Sequence, residues 1–141
     1  MERSAQQVNV FLIYAHNDKE TVRKLHQRMV RDGINAWLDA QNLQPGQDWQ
    51  QEIRRAILKS DRVLVCLTRG FNKQPGYRHE ELKIALEKAR LLDDGSIFII
   101  PVRLERCPMP DSLRHLQRVD LFETGGYKKL VRALRSLAKS S

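Results

Sequence analysis

The sequence predicts an α/β domain in which helices cover both faces of a doubly wound, five-stranded parallel sheet of order 2-1-3-4-5. Three observations carry this expectation. Short apolar runs recur at residues 8–14 (VNVFLIY), 34–38, 63–67 (VLVCL) and 97–102 (IFIIPV). Amphipathic stretches of helical period separate them. The third and fourth runs are almost uninterruptedly apolar, as strands buried on both faces must be, whereas a half-exposed antiparallel strand alternates. Five such βα units in about 130 residues fit the flavodoxin-like winding.

Each element has its local reason. The first strand, residues 8–14, is β-branched and aromatic and ends at the polar His16-Asn17-Asp18. Asp18 is placed to cap a helix whose core positions Val22, Leu25 and Met29 recur until Gly33 stops it. Residues 34–38 read as a short second strand, and AQNLQPGQD is a loop around a Pro45-Gly46 turn. Trp49, Ile53, Ala56 and Ile57 stripe a second helix ending near Ser60. Residues 63–67 form the third strand, and 77–90 a third helix with Leu82, Ala85, Leu86 and Ala89 on one face. The fourth strand is expected over 97–102, with Pro101 near its end or at an edge. Residues 118–122 form a fifth, and Tyr127, Leu130, Val131, Leu134 and Leu137 stripe the last helix. There are no repeats and no internal linker. One domain is expected over residues 8–137, with frayed ends at 1–7 and 138–141.

Composition narrows the function. The 141 residues are 41% hydrophobic and 30% charged, enough to build one core. Two cysteines, Cys66 and Cys107, exclude a disulfide framework and a four-cysteine zinc site. No apolar run approaches the ~18 residues of a membrane span, and MERSAQQ lacks a signal-peptide core. A cytoplasmic domain is therefore expected. The net charge is +8, and residues 103–141 hold nine Lys/Arg against four Asp/Glu. This C-terminal excess reads either as a solvated basic helix face or as a nucleic-acid surface, the latter without aromatic interleaving or a recognition module.

In an open α/β sheet, ligands bind beyond the carboxyl ends of the strands, where the winding reverses. That singles out Tyr14, Ala15 and His16 after the first strand and Thr68, Arg69, Gly70 and Phe71 after the third. Several chemistries fail there. There is no G-x-G-x-x-G fingerprint and no phosphate-binding G-K-S/T loop. Leu67-Thr68-Arg69 offers no phosphoacceptor Asp, and the four histidines lack metal-ligand spacing. Cys66, inside an apolar strand, reads as an inert core thiol. One carboxylate stands out. At 100° per residue, with Glu81 at 0°, the third helix's core stripe centres at about 90° and Glu80 falls at about 260°, in solvent. Glu81 lies at the stripe's border with Tyr77 one turn before it. It reads either as a site acid or electrostatic stabiliser, or as a boundary glutamate paired with Arg78 or Lys88.

Residues 10–18 (VFLIYAHND) resemble the first-strand box of Toll/interleukin-1 receptor (TIR) domains, in the bacterial form F-I-S-Y-A-H-x-D, with Ile13 where the family usually has Ser. Trp37-Leu38-Asp39 and Leu43-Gln44-Pro45-Gly46 are similar to the second box and its BB loop. Residues 63–68, 97–102 and Leu121-Phe122 resemble the later strands. The likeness spans about residues 8–137.

The resemblance implies one of two functions. Many TIR domains cleave NAD+ between nicotinamide and ribose, releasing ADP-ribose or a cyclised form, in signalling and antiviral defence. Others are non-catalytic modules that associate with further TIR domains. The enzymes carry W-x-x-x-E on the third helix; here Tyr77-Arg78-His79-Glu80-Glu81 matches with Tyr for Trp, and the catalytic role falls on Glu81. By the same likeness Tyr14, Ala15, His16, Asp39, Leu43, Trp49, Thr68 and Tyr77 would line the substrate site. Trp37 or Trp49 would stack on a ring or pack in the core. His16 would contact phosphate or cap its loop. Gln44, Pro45 and Gly46 would serve assembly, in which one protomer's BB loop completes its neighbour's pocket. NAD+ is then the substrate; no cofactor or metal is expected. The expected partners are other TIR domains and a fused or partner effector domain, not nucleic acid.

Overall fold

The computed structural model of the chain describes residues 8–37, 44–71, 73, 77–93 and 95–140; the side chains of residues 49, 77, 78 and 137–140 lie outside that description. The elements run β1 (Asn9–Ile13), α1 (Lys19–Arg31), β2 (Asn35–Trp37), α2 (Trp49–Lys59), β3 (Arg62–Leu67), α3 (Tyr77–Arg90), β4 (Ile99–Arg103), β5 (Val119–Asp120) and α4 (Gly126–Ser140), with 3₁₀ turns at His16–Asp18 and Asp111–Leu113. The five strands form one sheet of order β2-β1-β3-β4-β5, all pairings parallel. This is the winding expected from the sequence.

Strand alternation sorts the core into two layers. Val10 and Leu12 of β1, with Leu64 and Cys66 of β3, pack against Val22, Leu25 and Met29 of α1 and Leu130 and Leu134 of α4. Phe11 and Ile13, with Val63, Val65 and Leu67, pack against Ile53 and Ile57 of α2 and Leu82 and Ala85 of α3. Every residue of β3 is buried. Cys66 is an inert thiol, its pKa pushed up to about 12 chiefly by burial. The basic C-terminal residues Lys128, Lys129, Arg132 and Arg135 sit exposed on α4. Among the described residues no helix is long and apolar enough to cross a membrane.

Four local expectations are corrected. Asp18 directly precedes α1 but makes no side-chain cap to it. The 3₁₀ turn leaves its backbone at φ −96°, ψ 11°, instead of the extended conformation that aims a capping side chain at the first turn. Asp48, at φ −79°, ψ 102°, is extended and does cap α2, accepting from the Gln51 N–H at 3.3 Å. Pro101 is neither at the end of β4 nor on an edge strand: it pairs with Val65 in the middle of an interior strand. The ladder explains it. Leu104 N–H donates to Leu67 of β3, whereas the Arg103 carbonyl accepts from Leu121 beyond β5. Alternation therefore turns the Pro101 nitrogen toward β5, whose pairing begins only at Val102, so no ladder bond is lost. The remaining two corrections are shortened strands. β4 starts two residues late, leaving Ile97 48% exposed, and β5 keeps only Val119 and Asp120 of the expected 118–122.

A charge clip holds the short β5. The Arg103 guanidinium donates Nε and Nη2 to the two Asp120 carboxylate oxygens at 2.7 and 2.8 Å, a bidentate pair, and Nη1 to the Cys107 carbonyl at 2.9 Å. Both side chains of the pair are only 12% exposed. The hydrogen bond from Arg103, helped by Arg118, holds the Asp120 carboxyl down at about 2, against an ordinary 3.8. A depressed carboxylate stabilises the fold above its unfolded pKa, and this stabilisation is lost as pH falls through the folded value. The urea midpoint should therefore drop between pH 4 and pH 2. Asp120→Asn should flatten that drop and lower stability at pH 7 by about 2 kcal/mol, read by denaturant titration at both pH values.

Candidate functional site

Two loops meet at the carboxyl end of the central strands. The Thr68 hydroxyl donates to the Asp18 carboxylate at 2.5 Å, tying the segment after β3 to the one after β1. The Arg69 N–H donates to Glu105 at 2.8 Å, so the segment after β4 is joined as well. Phe71 is buried and its ring lies tilted by 45° to that of His79 near the start of α3, centroids 6.5 Å apart.

The switch-point residues divide between the two faces of the sheet. Tyr14 is half-buried against the α1/α4 layer, Ala15 is buried in the α2/α3 layer, and His16 is exposed. Thr68 is buried on its bond to Asp18. Trp37 is half-buried and stacks on Phe11, centroids 5.2 Å apart, so it packs in the core. Asp39 and Leu43 lie outside the described residues, as do the side chains of Trp49 and Tyr77.

Residues 44–47 form a turn. Pro45 and Gly46 are its central residues, with the Gln47 N–H donating to the Gln44 carbonyl at 3.1 Å. Gly46 has φ +91°, the left-handed value that a type II turn demands at this position. The Gln47 side chain accepts from the Gln44 N–H at 2.7 Å and closes the loop on itself. Residues 44–48 are all exposed and lead directly into the Asp48 cap of α2.

Beside this turn, α2 and α3 leave a cavity of about 510 Å³. Asp48, Gln50, Gln51, Ile53 and Arg54 form the α2 wall, and Glu80, Glu81 and Ile84 the α3 wall. Glu81 is half-buried and Glu80 exposed, the arrangement that the helical period predicts. Lys88, one of two cations considered as a partner for Glu81, instead donates to the Leu58 and Ser60 carbonyls at 2.6 and 2.9 Å, capping the end of α2. Burial lowers its pKa. The Arg78 side chain is outside the description.

A carboxylate with one side in the protein and one in a cavity can accept hydrogen bonds from a sugar and face a developing positive charge. Of the residues singled out from sequence, only Glu81 lines this cavity among those whose side chains are described; Tyr14, Ala15, His16 and Thr68 do not. Sequence reasoning missed the α2 wall. Gln50, Gln51 and Arg54 fall on the polar side of a helix stripe and carry no signal until α3 is packed beside them. Among the described residues there is no group of three or more His, Cys, Asp or Glu able to hold a metal ion.

A second opening, about 590 Å³, lies between α4 and the end of α1 and is lined by Asp32, Tyr127, Lys128, Val131, Arg132 and Arg135, among others. Asp32 accepts from the Tyr127 hydroxyl at 2.6 Å through its carboxylate, and from Arg135 at 2.7 Å through its backbone carbonyl. Arg28 covers the Tyr127 ring at 3.8 Å. Burial, with the bond to Asp32, pushes the Tyr127 hydroxyl up to about 12. These contacts join α1 to α4.

The TIR-domain family model matches residues 10–135, nearly the whole described fold. The chain belongs to the TIR family. The TIR domain of the Toll-related receptor TRR-2 from Hydra magnipapillata superposes with a TM-score of 0.74 at 25% identity, over 89% of this chain and 97% of that one. The TIR domains of the activated Roq1 resistosome, which directly recognises the pathogen effector XopQ, give 0.61 at 21% identity over 95% and 85%. A prokaryotic SEFIR domain gives 0.54 at 19% over 93% and 92%. The latter two show the shared fold. Protein y4cD of Sinorhizobium fredii (strain NBRC 101917 / NGR234) is 30% identical over 97 residues, 68% of this chain. The TIR chain spans only 15% of that protein's length.

The Thr68–Asp18 bond is the measurable support of this end of the sheet. Thr68→Val keeps the shape but leaves the half-buried Asp18 carboxylate without that donor. It should lower stability by about 1–3 kcal/mol, read as a reduced denaturant midpoint with unchanged m-value.

Proposed function

We propose that this TIR domain is an NAD+ glycohydrolase, acting when self-assembled in the cytoplasm as a signalling or defence effector. The observation that supports the reading most is the position of Glu81: half-buried, at the wall of a 510 Å³ cavity, on the helix where the sequence resembles the enzymatic TIR pattern. In the reaction the bond from ribose C1′ to the nicotinamide nitrogen breaks. Its electron pair goes to the pyridine ring, which leaves neutral and needs no acid. Positive charge develops on C1′ and the ring oxygen, as in glycoside hydrolysis. Glu81 would hold the ribose hydroxyls and stabilise that charge. Water then adds to C1′ and loses its proton to solvent, giving ADP-ribose; attack by an adenine nitrogen instead gives a cyclic product.

The exposed Gln44–Gln47 turn favours assembly through the BB loop in either reading of the family. An association module with no chemistry is the second reading, and the same turn supports it. The test separates them. Purified protein at high concentration, with and without a crowding agent, is incubated with NAD+ and nicotinamide is followed by chromatography and mass spectrometry. Release is expected to rise faster than linearly with protein concentration. Glu81→Ala should reduce it at least about 100-fold, as for the loss of a transition-state stabiliser, with the melting temperature unchanged. No release under any assembling condition would leave the association module. Undiminished turnover in Glu81→Ala would sink the assignment of Glu81.

A further inference from the structure

The cavity beside Glu81 carries charge of both signs, with Arg54 on the α2 wall beside the capping Asp48. Glu80 and Glu81 project from α3, and Arg54 from α2. Arg54 is the sixth residue of α2 and Glu81 the fifth of α3. With a rise of about 1.5 Å per residue, both stand about 7 Å into helices that pack side by side. Between them Ile53 and Ile84 supply apolar lining.

Arg54 is also unengaged. Among the described residues its guanidinium makes no hydrogen bond or ion pair, while its neighbour Arg55 is bound to Glu52 at 3.0 Å. A fully anionic ligand in this space would meet three carboxylates, Asp48, Glu80 and Glu81, and a simple cation would meet the guanidinium. The walls therefore suit a ligand that carries both a cationic and an anionic group. The planar guanidinium fork takes a phosphate oxygen pair in a bidentate fashion, which an ammonium does not.

We infer that Arg54 binds the diphosphate of a pyridine dinucleotide and so selects a diphosphate-bearing substrate over the bare nucleoside. The inference rests on the reading of this cavity as an NAD+ site. It makes Arg54 a binding residue, distinct from Glu81 in role: it should act mainly on substrate affinity, whereas Glu81 acts on turnover.

The experiment uses the full chain at assembling concentration. ADP-ribose binding is measured by calorimetry for wild type, Arg54→Gln and Arg54→Lys, and nicotinamide release is measured from NAD+ and from nicotinamide riboside, which has no diphosphate. Arg54→Gln is expected to weaken ADP-ribose binding about 10- to 100-fold, the range for losing a charged hydrogen-bond pair. KM for NAD+ should rise by a similar factor with kcat little changed. The penalty on nicotinamide riboside should be at least about fivefold smaller, and Arg54→Lys should recover part of the affinity. Because Arg54 is exposed, the melting temperature should not move.

Three results overturn the inference: Arg54→Gln binding ADP-ribose as wild type does, no ADP-ribose binding by any of the proteins, or equal penalties on NAD+ and nicotinamide riboside. Failure of the proposed reaction looks different. It is the absence of nicotinamide release from both substrates, and Arg54-dependent ADP-ribose binding in that case still supports the diphosphate site.

Discussion

Burial of β3 on both of its faces is the constraint from which the other features follow. All six of its residues are covered, so helices must lie on each side of the sheet, and parallel neighbours are what such helices connect. With β1 on one flank and β4 on the other, the winding reverses at β3. The loops after β1 and β3 therefore emerge side by side, close enough for Thr68 to reach Asp18. From that point the chain passes the buried Phe71 and enters α3, which carries Glu81. The placement of the candidate site is thus a consequence of an apolar strand, two helical layers and one hydrogen bond between loops.

Much of this was legible in residue pattern. The run VLVCL can only be a strand without an exposed side, and the stripes Val22-Leu25-Met29 and Leu130-Leu134 can only be helix faces turned to it. The bounds of α3 and the exposed/half-buried contrast of Glu80 and Glu81 follow from period alone. What pattern could not convey is where competing partners win. Asp18 has the residue type and position of a cap, but Thr68, fifty residues away, takes its carboxylate. Arg62 begins β3 at 2% exposure, with Nε and Nη1 unpartnered among the described residues, and burial lowers its pKa. No single-sequence rule anticipates an arginine there. Pro101 looked like an edge residue because the rule concerns a strand's neighbours; the edge exists, but only where β5 has not yet begun.

The cavity's α2 wall was less legible for a related reason. Helical period locates a residue relative to its own helix and says nothing of the next one. Glu81 could be marked because the boundary of the α3 core stripe is a property of α3. Arg54 sits on the polar side of α2 and becomes notable only because α3 brings two carboxylates to face it across a cavity. Catalytic candidates that depend on one element are visible in sequence, and binding candidates that depend on two are not.

The same geometry links association to the cavity by a short path. The exposed turn at Gln44–Gln47 runs straight into Asp48, whose carboxylate accepts the Gln51 N–H and so fixes the first turn of α2. Asp48, Gln50 and Gln51 are themselves part of the cavity wall. A second TIR domain gripping that turn would bear on the cavity through one or two residues of chain, with no long relay needed to transmit the effect. On the opposite side of the sheet, Arg28, Arg135 and Tyr127 bind α1 and α4 to each other around Asp32. These contacts lie on the face of the sheet away from the cavity, so the turn and the cavity wall share one side of the domain.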